Sequence, residues 1–163
     1  LFNIYGVEEI IRIGTSGSNN KNINLLDVVL ATTSYSLSTF PYAFDGDNYK
    51  SIDASFEENK KIMLASHEQN IDLKVGPIIT SDIFDPYIDF PKYIKNYSTD
   101  IEYLAMEMES FALFYLAKKF NKKAAALFTV VDVIGKEKKS LTSTERERSL
   151  NQMIKLALEA IIK

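Results

Sequence analysis

Short apolar runs rich in β-branched residues alternate along the chain with longer segments whose apolar positions recur at helical spacing. The strand-like runs, each bounded by turn residues, are Glu9–Gly14, Asp27–Thr33, Val75–Thr80, Ile101–Met106 and Lys123–Val131. The last run has no polar alternation, which is typical of a central strand covered on both faces. Alternating strands and helices predict an α/β domain with helices flanking its sheet.

Three segments have the pattern of helices. Phe56–Gln69 mixes apolar with charged residues, as a partly exposed helix does. Phe111–Ala117 is apolar on nearly every face, which predicts a buried helix that starts near Glu109. The final helix is predicted to begin at a capping box, Thr142–Glu145. Its apolar stripe at helical spacing would be Leu150, Met153, Ile154, Ala157, Leu158 and Ile161.

Two further segments bear on the organisation of the chain. The stretch Asp85–Pro91 contains two prolines and is predicted to break any helix before it starts. Leu1–Gly6 has the pattern of a last helical turn that ends at Gly6. Because Leu1 is not a start methionine, we expect the chain to be the C-terminal part of a longer protein. Its 163 residues contain no repeat and no long linker, which predicts one domain over 1–163.

Composition narrows the function classes. A formal net charge of -3 without a block of Lys and Arg argues against a nucleic-acid surface. The basic cluster Lys136–Lys139 is interrupted by Glu137 and is predicted to be a solvated loop. The absence of cysteine excludes disulfides, thiolate catalysis and thiolate metal sites, and it is compatible with a reducing cytoplasm. With neither a long apolar run nor a signal-peptide pattern, we expect a cytoplasmic protein without a membrane partner.

The segment Ala105–Ser110 carries two glutamates where a buried strand passes into a buried helix. Burying Glu107 and Glu109 there would cost several kcal/mol for each unpaired charge. At least one of them must therefore be solvated, paired or used on a ligand. Acidic residues also favour helix N-termini because of the helix dipole, and this explains one glutamate better than two.

A second segment, Arg12–Ser18, is predicted to end the first strand in a turn rich in hydroxyls and glycines. Backbone N–H groups in such a turn can approach an anion closely, and Arg12 adds donors that suit a phosphate. The same residues also fit an ordinary turn and a structural ion pair. Because ligands bind at the carboxyl ends of strands in open α/β sheets, Arg12, Glu107–Glu109 and Asp132 could meet in one crevice.

The order of five motifs carries a resemblance over the whole chain. The motifs are Arg12–Gly17, Ser81–Phe84, Met106–Ser110, Thr129–Asp132, and Thr144–Arg146 followed by Asn151–Lys155. In this order they resemble the bacterial purine nucleoside phosphorylases of the hexameric type. The resemblance implies a mixed, twisted central sheet flanked by helices, in a homohexamer built as a trimer of dimers. It also implies that an N-terminal portion supplies further phosphate contacts, and that a neighbouring subunit lends an arginine and a histidine. We therefore expect the 163 residues alone to be poorly stable and essentially inactive.

The activity that the resemblance implies is that of a pentosyltransferase. Purine ribonucleosides and 2′-deoxyribonucleosides would react reversibly with phosphate to give the free base and the sugar 1-phosphate. Phosphate is then a co-substrate, and no metal or organic cofactor is needed. The phosphate cradle would be formed by Arg12 and Thr15 with the backbone of Ile13 and Gly14.

The resemblance assigns nucleoside binding to three other motifs. Glu109 would accept hydrogen bonds from sugar hydroxyls, Met108 would pack against the sugar face as an adaptable apolar surface, and Phe84 would pack against the base. The remaining residues of the base pocket would be Ser81, Met106, Glu107, Val131 and Asp132. Val131 and Val133 stand where the family often has Ser and His, so hydrogen bonding to the base is expected to differ.

Asp132 resembles the residue that protonates the purine as it leaves, and Arg146 the partner that encourages this transfer when the site closes. The sugar would pass through an oxocarbenium-like state stabilised by the incoming phosphate. Taken without the resemblance, Asp132 fits a loop cap, Arg146 a solvated side chain, and Phe84 a core aromatic. The lone histidine, His67, is assigned no function.

Other activities of the same fold remain open. A uridine phosphorylase shares the Gly-Thr and Met-Glu-Ser segments, but it reads uracil with a Gln and an Arg soon after the residue that corresponds to Phe84. Here Asp85–Asp89 offers neither. A nucleosidase would use water and would not need Arg12 beside Gly14. A binding homologue without catalysis would be expected to lack Glu109 or Asp132, and both are present.

Overall fold

The computed structural model describes residues 1–133 and 139–163, and the strands of these residues form one mixed sheet. The strands are β1 (Glu9–Ser18), β2 (Val28–Tyr35), β3 (Ser51–Asp53), β4 (Leu73–Thr80), β5 (Ala105–Glu107), β6 (Lys123–Val133) and β7 (Lys139–Ser140). Their order is β3-β2-β4-β5-β1-β6-β7. β2 also pairs with β6, which closes β2, β4, β5, β1 and β6 into a ring.

Helices flank this sheet. They are α1 (Phe2–Tyr5), α2 (Phe40–Asp45), α3 (Phe56–Gln69), α4 (Phe90–Tyr93), α5 (Ser110–Lys119), α6 (Ser143–Arg148) and α7 (Asn151–Ile161). Single 3₁₀ turns span Asp85–Tyr87 and Ile94–Asn96. The predicted α/β class, with a mixed sheet between helices, is confirmed.

Strand β6 is the centre of the core and is covered on both faces, as its sequence predicts. On one face Phe128 packs in a cluster with Phe111 of α5. On the other face Leu127 packs in a cluster with Ile62 of α3 and Met153 of α7. Helix α5, whose residues 110–117 are all buried or partly buried, begins three residues after β5 ends. The sheet and α5 together therefore fix the segment that joins them.

Of the strand boundaries that differ from the prediction, three belong to strands that line the cavity. The predicted turn within Arg12–Ser18 is wrong, because β1 pairs with β6 along its whole length and absorbs its irregularity in a bulge between Ser16 and Gly17. The strand predicted over Ile101–Met106 is short and begins only at Ala105. β6 does not end at Val131 but continues through Asp132 to Val133, where β7 pairs with it.

The Pro-containing stretch and the final helix also differ from expectation. Pro91 lies in the first turn of α4, where its missing N–H is not needed, so it starts a short helix that Asp89 caps. The predicted capping box at Thr142–Glu145 is confirmed, since each residue's side chain accepts from the other's backbone N–H. The helix it starts is α6, which ends before a separate α7 begins.

The apolar stripe predicted for the final helix is only partly right. α7 buries Met153 and Ala157 as predicted, but it also buries Leu156 and Ala160, whereas Leu158 and Ile161 are exposed. The sequence offers two adjoining apolar stripes, and packing against α3 selects one of them.

Three further predictions concern the first helical turn, the basic cluster and membrane spans. α1 ends at Gly6 in the left-handed conformation, with φ of 65°, as the sequence predicts. Most of the basic cluster Lys136–Lys139 lies outside the described residues. No helix in the described ranges has both the length and the hydropathy to cross a membrane.

Candidate active site

A cavity of about 370 Å³ lies among the later residues of β1, β5 and β6, the loop after β4 and the first residues of α6. This volume suits a small-molecule ligand. Every site residue predicted from the sequence lines it except Ile13, whose side chain is exposed to solvent. Residues that the prediction did not include also line it, namely Ser16, Gly17 and Ile83. The run of hydroxyl-bearing residues and glycines after Thr15 could have indicated that Ser16 lies at the site.

Arg12, at the middle of β1, is one of two arginines among the described residues that line the cavity. Its guanidinium carbon lies 5.2 Å from the centroid of the buried Phe128 ring. Its Nη2 contacts the Glu109 carboxylate and lies 3.6 Å from Oε2 of Glu107. Its Nη1 is buried and has no hydrogen-bond partner within residues 1–133 and 139–163. Arg12 therefore lines the cavity with a guanidinium that still has an unpaired donor on its buried side.

Gly14 allows Arg12 to adopt this position. A Cβ built on Gly14 would overlap the Arg12 guanidinium, so a side chain there would shift the guanidinium from this position. Thr15, next in the strand, is exposed. The Ser16 hydroxyl is buried and, like Nη1 of Arg12, has no partner in the described part of the chain. Glycine at position 14 thus leaves space for the guanidinium and does not serve a turn.

The two glutamates predicted to be costly have opposite environments. Glu107 is 5% exposed, and its carboxylate accepts from the Thr80 hydroxyl and from the N–H groups of Glu109 and Ser110. The Glu109 side chain is 60% exposed and pairs with Arg12. Both charges are therefore compensated, one by buried hydrogen bonds and the other by an ion pair at the cavity.

Asp132 and Arg146 form the second charged cluster of the cavity. Nη2 of Arg146 donates to Oδ1 and Oδ2 of Asp132 at 3.1 and 3.3 Å, and its Nε donates to the Leu141 carbonyl at 3.1 Å. Asp132 therefore has a charged partner and is not simply a loop cap. Arg146 is likewise not a free surface side chain.

The loop after β4 supplies an aromatic ring. Phe84 is 50% exposed, with its ring 5.8 Å from the Tyr87 ring in edge-to-face geometry. Ser81 shapes this loop, because its hydroxyl donates to the Ile83 carbonyl at 2.7 Å and accepts from the Ile83 N–H at 3.1 Å. Phe84 is therefore not a core aromatic. His67 is exposed on α3 and is not one of the described residues that line the cavity.

Comparisons with known proteins agree with this architecture. The family model described as the Phosphorylase superfamily matches residues 1–163. The chain is 36% identical to a purine nucleoside phosphorylase DeoD-type of Oceanobacillus iheyensis over 168 residues, which covers 100% of this chain and 68% of that protein. It is 36% identical to the protein of the same name from Bacillus cytotoxicus over 166 residues, covering 99% and 67%.

A solved structure has a similar fold. The structure of a futalosine hydrolase mutant of Helicobacter pylori strain 26695 matches with a TM-score of 0.75 at 21% identity, covering 96% of this chain and 68% of that one. At this identity the likeness concerns the fold alone. From the family match over the full chain and the identity to its relatives, we conclude that the chain belongs to the phosphorylase superfamily.

Proposed function

We propose that this chain carries the active site of a purine nucleoside phosphorylase. The observation that carries the proposal is the buried, unpartnered Nη1 of Arg12 beside a cavity that also holds the Asp132–Arg146 pair. A guanidinium with an unused donor suits a phosphate oxygen. A carboxylic acid can give a proton to a leaving base, and an arginine beside it stabilises the carboxylate that remains. The names of the relatives at 36% identity support the same activity.

Phosphate would bind at the β1 side of the cavity. The Arg12 guanidinium would donate to one of the phosphate oxygens after a shift that turns Nη1 or Nη2 toward the cavity, and the exposed Thr15 hydroxyl would donate to another. Gly14 leaves room for the guanidinium. The incoming dianion would compete with Glu109 for Nη2 of Arg12. Binding of phosphate would thereby release the Glu109 carboxylate into the cavity.

The released Glu109 would accept hydrogen bonds from the sugar hydroxyls. Met108, which is exposed beside it, would pack against the sugar face. Phe84 lies on the cavity wall and is half exposed, so it offers a ring face or edge to the base. The rest of the base pocket would be Ser81, Met106 and Val131.

In the reaction a phosphate oxygen forms a bond to C1′ of the sugar while the bond between C1′ and the purine nitrogen breaks. The electron pair of the broken bond moves to the purine. Asp132, which would take up a proton from solvent while Arg146 is away from it, gives that proton to the purine. Asp132 thereby becomes a carboxylate, which Arg146 is positioned to pair with. The products are the free base and ribose 1-phosphate or 2-deoxyribose 1-phosphate. No metal or organic cofactor enters this scheme, and that absence stays a prediction.

A water-using nucleosidase is the second candidate, and one observation favours it. Arg12 already contacts the carboxylate of Glu109 and lies close to that of Glu107, so the three side chains together carry one positive and two negative charges. Such a cluster attracts a phosphate dianion only if Glu109 moves away. If Glu109 stayed on Arg12, water would attack C1′ and the product would be free ribose.

The dependence of the rate on phosphate distinguishes the two candidates. The protein expressed from its natural gene would be assayed with inosine and adenosine while inorganic phosphate is varied, with uridine as the control substrate. We expect cleavage of the purine nucleosides that saturates with phosphate and is negligible without it. Cleavage independent of phosphate would favour the nucleosidase, and preference for uridine would favour a uridine phosphorylase. The homohexamer and the cytoplasmic location stay predictions.

A further inference from the structure

A row of buried polar side chains crosses three neighbouring strands and ends at the cavity wall. Ser34 of β2, Thr80 of β4 and Glu107 of β5 are 0%, 3% and 5% exposed. The Ser34 and Thr80 hydroxyl oxygens are 2.6 Å apart, and the Thr80 hydroxyl contacts the Glu107 carboxylate. Thr80 and Glu107 are also direct partners in the parallel pairing of β4 and β5. Burying a polar group costs free energy unless the group is hydrogen-bonded. The three side chains meet this requirement by hydrogen-bonding to one another.

Donor counting sets the direction of these hydrogen bonds. Thr80 has a single hydroxyl hydrogen, and the Glu107 carboxylate takes it because a carboxylate can only accept. The Thr80 oxygen must then accept from the Ser34 hydroxyl, and it also accepts from the Phe111 N–H at 3.1 Å. The row therefore runs from Ser34 through Thr80 to Glu107.

The far end of the row holds the start of α5. Oε2 of Glu107 accepts from the Glu109 N–H at 3.0 Å, and both carboxylate oxygens lie 3.1 Å from the Ser110 nitrogen. Together with the Phe111 N–H on Thr80, these bonds satisfy three N–H groups that a helix start leaves without partners. The Glu107 carboxylate is thus directed at protein N–H groups. The resemblance implied only that Glu107 contributes at the edge of the base pocket.

We propose that Thr80, supported by Ser34, is a positioning residue that acts through Glu107 to fix Glu109 and Met108 against the sugar. Glu109 and Met108 are exposed, but they lie in a turn whose backbone is tied to the buried Glu107 on one side and to α5 on the other. The inference rests on the proposed function for the role of Glu109. Loss of the Thr80 hydroxyl would let the turn relax, and a displacement of about 1 Å at a catalytic group can cost about 100-fold in rate.

The chain offers a matched set of variants. Thr80→Val keeps the shape of the side chain and removes the hydroxyl, whereas Thr80→Ser keeps the hydroxyl. Thr129→Val is the control, because Thr129 is also fully buried in a strand and its hydroxyl contacts only the Met153 sulfur, at 3.9 Å, among the described residues. Each variant would be assayed with a purine ribonucleoside and with its 2′-deoxy analogue, which lacks one hydroxyl for Glu109.

We expect Thr80→Val to lower kcat/KM for the ribonucleoside by about 10-fold to 100-fold. The loss should be smaller for the 2′-deoxynucleoside, because it lacks one of the hydroxyls that Glu109 would bind. Thr80→Ser should restore the ribonucleoside rate, and Thr129→Val should not alter the ratio between the two sugars. Equal losses on both sugars in Thr80→Val, or no loss, would overturn the inference.

Backbone hydrogen exchange tests the same inference without relying on activity. Thr80→Val should speed exchange of the Glu109–Phe111 amides, and Thr129→Val should not. If Thr80→Val does not fold, Ser34→Ala should give the same changes at smaller size, and unchanged exchange there would overturn the inference. If the wild-type protein cleaves nucleosides without phosphate, the proposed function fails, whereas the sugar ratio and the exchange rates still decide the role of Thr80.

Discussion

Arg146 places one guanidinium nitrogen against both carboxylate oxygens of Asp132, at 3.1 and 3.3 Å. The two residues come from different elements, β6 and α6, and α6 is fixed at its start by the capping box between Thr142 and Glu145. This geometry suits the state that follows proton transfer, in which Asp132 is a carboxylate and needs a cationic partner. It also makes Asp132 the residue whose replacement most directly probes the leaving-group chemistry.

Asp132→Asn should slow phosphorolysis of inosine and adenosine by about 10²-fold to 10⁴-fold, because the amide cannot protonate the departing purine. A nucleoside whose base leaves readily without protonation should react almost as fast as with the wild-type protein. Steady-state kinetics on both substrates side by side would measure this. Equal losses on the two would mean that Asp132 positions the base or holds the fold and is not the general acid.

Arg12→Ala should raise the KM for phosphate much more than the KM for the nucleoside. The variant loses a hydrogen bond to a charged ligand, which is worth roughly 1.5–3 kcal/mol, or about 10-fold to 100-fold in affinity. Arg12→Lys keeps the charge but not the planar fork, so it should give an intermediate value. If the phosphate dependence were unchanged in Arg12→Ala, Arg12 would be only a structural ion-pair partner of Glu109. The water-using nucleosidase would then be the favoured activity.

Phe84→Leu should weaken nucleoside binding and leave the free energy of unfolding almost unchanged, since the ring is already half exposed in the free protein. Loss of aromatic contact with a purine should raise the nucleoside KM by about threefold to tenfold, from roughly 0.5–1.5 kcal/mol. Phe56→Leu is the matched control, because Phe56 is 70% exposed and does not line the cavity in the described residues. The same KM shift in both variants would argue against a role for Phe84 at the base.

Tyr115→Phe should destabilise the fold in a way that depends on pH. The buried Tyr115 hydroxyl donates to Asp47 at 2.7 Å, and this bond, together with Lys119, holds the pKa of Asp47 below its ordinary value of 3.8. A lowered pKa contributes stability that is complete above 3.8 and is lost as the pH falls through the lower, folded value. The pKa of Tyr115 itself is raised to about 12, mainly by burial, so the hydroxyl stays protonated throughout.

Urea unfolding at a series of pH values would measure this effect. The wild-type protein should be more stable than Tyr115→Phe at neutral pH, and the difference should shrink as the pH falls below 3.8. A difference that stays constant with pH would mean that Tyr115 acts through packing alone and not through the ionised Asp47.

The sequence predicted which residues meet at the cavity more fully than it predicted their roles. The cost of burying Glu107 and Glu109 required compensation for at least one of them, and the structure provides it for both. Which of the two would be buried could not be read locally, because it depends on the pairing that sets Thr80 beside Glu107. A contact between residues 27 positions apart has no local signature.

The errors in the predicted fold also arise from contacts between residues that are distant in sequence. The glycines and hydroxyls after Arg12 have the composition of a turn, but pairing with β6 carries β1 through them to Ser18. In α7 the choice between Leu156 and Leu158 as core residues depends on packing against α3, and the helical period alone could not decide it. Local pattern thus located the elements, whereas contacts distant in sequence set their ends and faces.

Identifying the sugar product shows whether phosphate or water cleaves the nucleoside. The protein expressed from its natural gene would be incubated with inosine and inorganic phosphate, and the reaction followed by phosphorus NMR. We predict that ribose 1-phosphate appears in step with free hypoxanthine, mole for mole. Release of hypoxanthine with free ribose and no new phosphate ester would contradict the account.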